Sequence, residues 1–188
     1  MKYFLYGLVL YVILALPPVI ELLESLMFIH MHVQMPLLAV VGMLWAPLLK
    51  KKFPTFFSRW NEDGLPGLLL LSIVITYWII PRAMDEAITY TTVEVFKFIS
   101  WPLFVGVPLL DSWEKLSEKW KHVSYIYFTI VYSTMGFIYV FAEDQLCNNY
   151  LIIEQRILGW SFLVIAFIVF FYFIQIILHR IYYENKIG

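Results

Sequence analysis

The residues of this sequence whose types could do chemistry begin with a short segment between positions 21 and 35. It contains two carboxylates three residues apart, two histidines two residues apart and three methionines. Imidazole and thioether groups suit copper, and methionine favours Cu(I). Carboxylates at the entrance of such a site would raise the local concentration of cations. From this segment we take as candidate metal ligands Glu24, His30, Met31, His32 and Met35.

Helical geometry limits how these residues could act together. At about 100° per residue, two groups of side chains fall on opposite faces of one helix. The first group is Glu21, Glu24, Phe28, His32 and Met35, and the second is Met27, His30 and Gln34. Two histidines two residues apart point in different directions, so they cannot both bind one ion unless the helix unwinds. The alternative is that the carboxylates are solvated, the methionines pack and the histidines bond neighbouring helices. Spacing alone favours that alternative.

Two further sites of interest lie between positions 81 and 97. Asp85 could be a metal ligand, or could orient a histidine ligand through its second ring nitrogen. Equally, Asp85 could cap the helix that begins there and pair with Arg82. Glu94 and Lys97 lie one helical turn apart. Because ionisable groups at membrane depth are usually paired or functional, we expect these two to form an ion pair.

The single cysteine, Cys147, follows a cluster of acidic and amide residues at positions 143–149. It could give a soft thiolate to a metal, or be an unreactive small residue. One cysteine cannot form a disulfide within the chain. The sequence has no glycine-rich phosphate loop, Gly-x-Ser-x-Gly, His-Glu-x-x-His or Cys-x-x-Cys pattern. Nothing in it therefore indicates an enzyme.

The composition indicates the kind of scaffold that positions these residues. Of 188 residues, 62% are hydrophobic and only 14% are charged, and the mean hydropathy is +0.78. A soluble domain cannot hide that much apolar surface, whereas a lipid bilayer removes the need to hide it. No basic stripe interleaved with aromatic residues appears, so nucleic acid is not an expected partner. We predict an all-α integral membrane protein in contact with the lipid bilayer.

Hydropathy predicts a single domain, residues 1–188, built as a bundle of six transmembrane helices. Their approximate bounds are residues 3–18, 20–49, 65–80, 87–110, 123–141 and 157–181. The apolar run after Lys2 resembles a signal peptide, but no small-x-small cleavage site follows it. We therefore expect a retained first helix. Pro36 is expected to kink the second helix.

The charges predict the orientation of the bundle. Ten basic residues fall on one predicted side: Lys2, Lys50, Lys51, Lys52, Arg59, Lys115, Lys119, Lys121, Arg180 and Lys186. The opposite side has two, Arg82 and Arg156, against seven acidic residues: Glu21, Glu24, Asp85, Glu86, Glu143, Asp144 and Glu154. Basic loops stay in the cytoplasm. Both termini are therefore predicted to be cytoplasmic, and all the candidate metal ligands lie at the outer end.

Three of these outer segments resemble the CtaG family of cytochrome c oxidase assembly factors. Residues 30–36 read His-Met-His-Val-Gln-Met-Pro and are similar to a His-Met-x-x-His-Met-(Pro) helix followed by glycine, here Gly42. Residues 81–85 resemble a Pro-x-x-x-Asp element, and residues 144–145 resemble an Asp-Gln pair in an outer loop. Ser100 and Gly106 keep the spacing of a small-residue pattern.

The resemblance implies a multi-pass protein of the bacterial cytoplasmic membrane that binds copper transiently. It would help copper insertion or maturation of a membrane oxidase-type cuproenzyme, its partner. The chain departs from the family at Gln34, where the second histidine would stand, and at Glu94 and Lys97, where further histidines would stand. The alternative is a non-catalytic accessory subunit packed on a larger respiratory or monooxygenase-type complex. A small transporter is disfavoured because no polar path continues past Lys97.

Overall fold

The computed structural model describes the backbone of residues 1–187 and the side chains of residues 1–182. Within this part of the chain every regular element is a helix and no strand occurs. The prediction of an all-α protein is therefore confirmed.

Eleven α-helices and two π-helices, π1 and π2, follow one another over residues 2–187. In chain order they are α1 (Lys2–Leu14), α2 (Pro17–Glu24), α3 (Met27–Ile29), π1 (His30–Gln34), α4 (Met35–Lys52), α5 (Pro54–Trp60), α6 (Leu65–Ile79), α7 (Pro81–Thr89), α8 (Thr91–Ser100), π2 (Trp101–Gly106), α9 (Val107–Trp113), α10 (Glu118–Phe141) and α11 (Ile152–Ile187).

Four continuous helical rods are long and apolar enough to cross a membrane. They are Met27–Lys52, Thr91–Trp113, Glu118–Phe141 and Ile152–Tyr182. Two bent pairs also pass this test together, α1 with α2 at 73° and α5 with α6 at 84°. The described chain thus has four candidate spans, or six if each bent pair counts as one. By their length and composition, these apolar helices indicate a membrane protein.

Several predicted helix bounds differ from the structure. The first helix, predicted over residues 3–18, ends at Leu14, because Pro17 and Pro18 lack the N–H groups that would continue it. The second, predicted over residues 20–49, does not include residues 20–24, since Leu26 has an extended backbone (φ −129°, ψ 131°). Those residues belong to α2, and the second rod is Met27–Lys52.

The later bounds differ for similar reasons. Tyr90 is extended (φ −119°, ψ 116°), so residues 87–89 belong to the separate helix α7 and the rod predicted over 87–110 is Thr91–Trp113. Helices α10 and α11 are longer than the predicted 123–141 and 157–181. Helix α5 was not predicted, whereas α6 lies close to the predicted 65–80.

Both π-helices lie at prolines. Pro36 cannot donate a hydrogen bond to the carbonyl of His32, and its ring crowds that carbonyl. The chain widens into π1 directly before it, where we expected a kink. Pro108 stands in the same relation to π2, two residues after its last residue, and Pro102 lies inside π2 near its start. Such widened turns are frequent at functional sites.

Helix α4 and π2 cross with their backbones in contact. A Cβ atom on Gly42 would lie 2.0 Å from the carbonyl oxygen of Pro102, and one on Gly106 would lie 2.0 Å from that of Ala39. Only glycine permits this approach, as in other closely packed membrane helices. The crossing brings the rod that carries π1 alongside the rod that carries Lys97.

Candidate functional site

A fully buried lysine lies at the centre of the polar groups in one end of the bundle. Lys97, on α8, has no exposed surface. Its Nζ atom forms an ion pair with Glu24 of α2. The same atom donates to Oε1 of Gln34 at 3.1 Å and lies 3.3 Å from Nε2 of His30. We call Glu24, His30, Gln34, Lys97 and the neighbouring Tyr150 the Lys97 cluster.

Tyr150 determines which nitrogen of His30 carries the proton. The Tyr150 hydroxyl donates its single proton to the backbone carbonyl of Glu24 at 3.0 Å. Its oxygen must therefore accept the 2.9 Å hydrogen bond from Nδ1 of His30. With the proton on Nδ1, the Nε2 atom of the neutral ring carries a lone pair that points at the Lys97 ammonium.

The amide of Gln34 is oriented in the same way. Its Nε2 group donates to Oε1 of Glu24 at 3.1 Å, so its oxygen faces the ammonium. The three N–H groups of Lys97 thus have three acceptors, namely a carboxylate oxygen, an amide oxygen and an imidazole nitrogen. A buried charge is tolerated when it is paired and fully hydrogen-bonded, as it is here.

The predicted pair of Glu94 and Lys97 is wrong. Among the described side chains, the ion pair of Lys97 is with Glu24, and none joins it to Glu94. The reason is the helix break at Leu26, which lets Glu24 of α2 reach Gln34 of π1 and Lys97 of α8. The same break makes the predicted common face of Glu24 and His32 wrong, because the two residues are not on one helix.

His32 points away from the Lys97 cluster. Its ring stacks on Phe28, with centroids 4.7 Å apart, and packs against Phe162 of α11. Its Nε2 atom lies 3.4 Å from the hydroxyl of Ser161. Its Nδ1 atom is buried and has no hydrogen-bond partner. The two histidines therefore point in different directions, as their spacing predicts.

The remaining candidate ligands on this segment pack in the core. Met35 is fully buried and Met31 is almost so. Across the described residues, no three or more side chains of histidine, cysteine, aspartate or glutamate lie together as a metal-binding group. Glu24 and His30 meet around Lys97. The full set of predicted metal ligands, which includes Asp85, does not come together.

Asp85 holds the loop between α10 and α11. It accepts hydrogen bonds from the side chain of Asn148 at 3.0 Å and from the backbone and side chain of Asn149 at 2.9 Å. The predicted cap and pair with Arg82 are wrong. Asp85 lies beyond the first turn of α7, and Arg82 pairs instead with Glu86 at 2.8 Å.

Cys147 lies in the same loop and is buried. Its Sγ atom donates to the carbonyl of Pro81 at 3.4 Å. Burial, and then the charge of Asp85, raise the pKa of the thiol to about 12. A thiol with so high a pKa is a poor nucleophile at neutral pH. Gln145 shapes this loop by donating to the carbonyls of Cys147 and Tyr150.

A second buried charge cluster was not predicted from the sequence. Asp111, on α9, is fully buried and pairs with Lys50 of α4 at 2.8 Å and with Lys115 at 2.9 Å. It also accepts from the side chain of Asn61 at 2.7 Å. We call these four residues the Asp111 cluster. The only sequence signal for it was the i, i+4 spacing of Asp111 and Lys115.

The chain was compared with models of known protein families, with curated protein sequences and with solved structures, and none of them matches it.

Proposed function

We propose that this chain is a non-catalytic accessory protein that packs against a larger oxidase or monooxygenase-type complex in the bacterial cytoplasmic membrane. One observation carries the proposal. Of the most apolar stretch of α11, only 11% is buried within the chain. The buried share of the corresponding stretch is 50% in the Met27–Lys52 rod and 50% in the Thr91–Trp113 rod. The most apolar span is thus the one least covered by its own chain. We infer that a partner's membrane helix covers part of it.

The exposed face of α11 has the character of a packing surface. Phe167 and Phe171 lie on it with ring centroids 4.3 Å apart, beside the exposed Val164 and Ile168. Helix α11 pairs closely with α10, where Gly136 lies against the backbone of Gly159 and the side chain of Leu163. Aromatic anchors are the side chains that contribute most to protein interfaces. We expect this face to pack against apolar side chains.

The Lys97 cluster favours this function over copper delivery. The carboxylate and imidazole expected to bind copper already accept from an internal ammonium. The second nitrogen of His30 bonds Tyr150. These groups hold α2, π1, α8 and the α10–α11 loop together, which is a structural role.

The test is purification of the tagged chain from its native membrane in mild detergent. We expect an equimolar partner complex that is lost in Phe167→Ala/Phe171→Ala. The matched control, Leu69→Ala/Ile73→Ala, also removes two exposed apolar side chains, on α6, and should keep the partner. Elution of the wild-type chain alone, or equal loss in both variants, would contradict the proposal.

Copper handling is the second candidate, favoured by the buried and unpartnered Nδ1 atom of His32. In this function, His30, Met31, His32 and Met35 bind copper transiently for insertion into a membrane cuproenzyme. The measurement is copper per purified chain, in the wild type and in His30→Phe and His32→Phe. Copper that depends on both histidines would favour it. Sub-stoichiometric copper that is indifferent to both substitutions would exclude it.

We further propose six spans with both termini in the cytoplasm. The contacts support this topology, because α4 and the α8–α9 rod run parallel: Gln34 meets Lys97 at one end, and Lys50 meets Asp111 at the other. The Asp111 end carries most of the basic residues, which favours a cytoplasmic position. Cysteine accessibility from each side of the membrane tests it. Labelling of a cysteine at Arg59 from outside would contradict it.

A further inference from the structure

The donors of the Lys97 cluster are arranged as ligands around a cation. They come from separate parts of the chain, with Glu24 on α2 and both His30 and Gln34 on π1. Each presents a lone pair to the same point, which Nζ of Lys97 occupies. His30 and Gln34 are fully buried. Such convergence is the geometry of a coordination site with its cation already in place.

Hydrogen bonds behind these donors fix their orientation. Tyr150 holds the proton of His30 on Nδ1, and Glu24 holds the amide of Gln34 with its oxygen inward. Metal-binding histidines are oriented in the same manner, through a hydrogen bond on the nitrogen that does not bind the metal. The inward lone pairs of His30 and Gln34 therefore do not depend on the presence of Lys97.

The charge of the Lys97 cluster also favours a cation at the position of Nζ. Glu24 carries the negative charge and Lys97 the balancing positive charge. Removing the ammonium leaves this carboxylate, 10% exposed, next to two neutral acceptors and within electrostatic reach of the Glu94 carboxylate. An unpaired charge in so apolar a setting is costly, so the vacated site would favour any cation that could enter.

We propose that Glu24, His30 and Gln34 form a cation site whose resident occupant is the Lys97 ammonium, and that this site binds a divalent transition-metal ion when the ammonium is removed. The imidazole of His30 and the carboxylate of Glu24 are ligands that Zn²⁺ and Co²⁺ accept, and the amide oxygen of Gln34 makes a third donor, with a fourth position left for water. Binding requires His30 and Gln34, at 3.3 and 3.1 Å from Nζ, to close in by about 1 Å, since metal–ligand distances are near 2.0–2.2 Å. The inference is independent of the proposed partner complex.

The experiment titrates purified Lys97→Ala with Co²⁺ and follows the visible d–d absorption. We expect one Co²⁺ per chain in Lys97→Ala, none in the wild type, and none in Lys97→Ala/His30→Phe. The matched control is Lys115→Ala, which removes a lysine from a buried carboxylate that has no histidine beside it. Binding that is no greater in Lys97→Ala than in Lys115→Ala would overturn the proposal.

If Lys97→Ala does not fold alone, its recovery as a monodisperse species is measured with Co²⁺ or Mg²⁺ present during extraction. Rescue by Co²⁺ but not by Mg²⁺, absent when His30 is also replaced, supports the site. Failure of Co²⁺ to rescue folding would overturn it. Neither readout involves the partner complex, so failure of this inference and failure of the proposed function can be distinguished.

Discussion

Lys97 forms its ion pair with Glu24, which lies 73 residues earlier in the chain, and not with Glu94 one turn away. The pair joins α2 to α8 across the end of the bundle. A local Glu94–Lys97 pair would stabilise only its own helix, whereas the observed pair links separate elements. Lys97 thereby occupies the carboxylate of Glu24 and the ring nitrogen of His30, which a copper site would need.

The crossing of α4 and π2 should tolerate no side chain at Gly106. In Gly106→Ala the new Cβ would meet the backbone oxygen of Ala39, which cannot move aside as a side chain can. We expect a loss of about 3 kcal/mol or more in unfolding free energy. The matched control is Gly7→Ala, whose Cβ would meet the Trp45 side chain at 2.8 Å. Thermal unfolding in detergent measures both, and equal losses would contradict the backbone contact.

Cys147 should resist alkylation in the folded protein. It is buried and its pKa is raised to about 12, so little thiolate exists at pH 8. We expect slow labelling by iodoacetamide in native membranes and fast labelling after unfolding. The control is Glu143→Cys in a Cys147→Ser background, because Glu143 is exposed in the same loop. Equally fast labelling of the two cysteines in the folded protein would contradict this burial.

The same thiol should make stability depend on pH. In the unfolded chain the thiol has its ordinary pKa of 9.0, whereas in the folded protein its pKa is about 12. Between these values the folded state holds more protons, so the unfolding free energy falls as pH rises. Below about pH 9 this contribution is complete. Cys147→Ser should lose less stability than the wild type between pH 9 and pH 11, and parallel pH profiles would contradict the shift.

Asp111 should be the most sensitive residue at its end of the bundle. Asp111→Asn removes the charge that balances Lys50 and Lys115, and we expect a loss of about 2–4 kcal/mol in unfolding free energy. Lys115→Ala should cost less, because Lys50 still pairs with the carboxylate. Glu118→Gln disrupts only an exposed pair with Lys121 and should leave the unfolding midpoint unchanged. A smaller effect of Asp111→Asn than of Lys115→Ala would contradict this ranking.

The sequence predicted the broad fold because hydropathy reports lipid exposure directly. The helical composition and the regions of the long apolar rods follow from it. The breaks at Leu26 and Tyr90 could not be predicted, because neither residue is a proline or a glycine. Both side chains are exposed, so no pattern of buried residues marks these breaks either. Pro36 signalled a local disturbance, but not that it would be a π-helix.

The sequence predicted several of the residues of the candidate site, but it did not predict most of their contacts. Glu24 and His30 do meet in a buried cluster, and His32 does point elsewhere. What periodicity could not reveal was that Glu24 reaches Lys97 and Gln34, because the helix is broken between α2 and α3. Asp85 and Asp111 illustrate the same limit, since their partners lie in loops or on helices distant in sequence.

A pair of double-mutant cycles tests the central relationship most directly. One cycle combines Lys97→Met with Glu24→Gln, the other Lys97→Met with Glu94→Gln, and thermal unfolding in detergent gives the coupling energies. We predict a coupling of about 1.5–3 kcal/mol for Lys97 with Glu24, and a much smaller one with Glu94. A larger coupling of Lys97 with Glu94 than with Glu24 would contradict the buried cluster and its structural role.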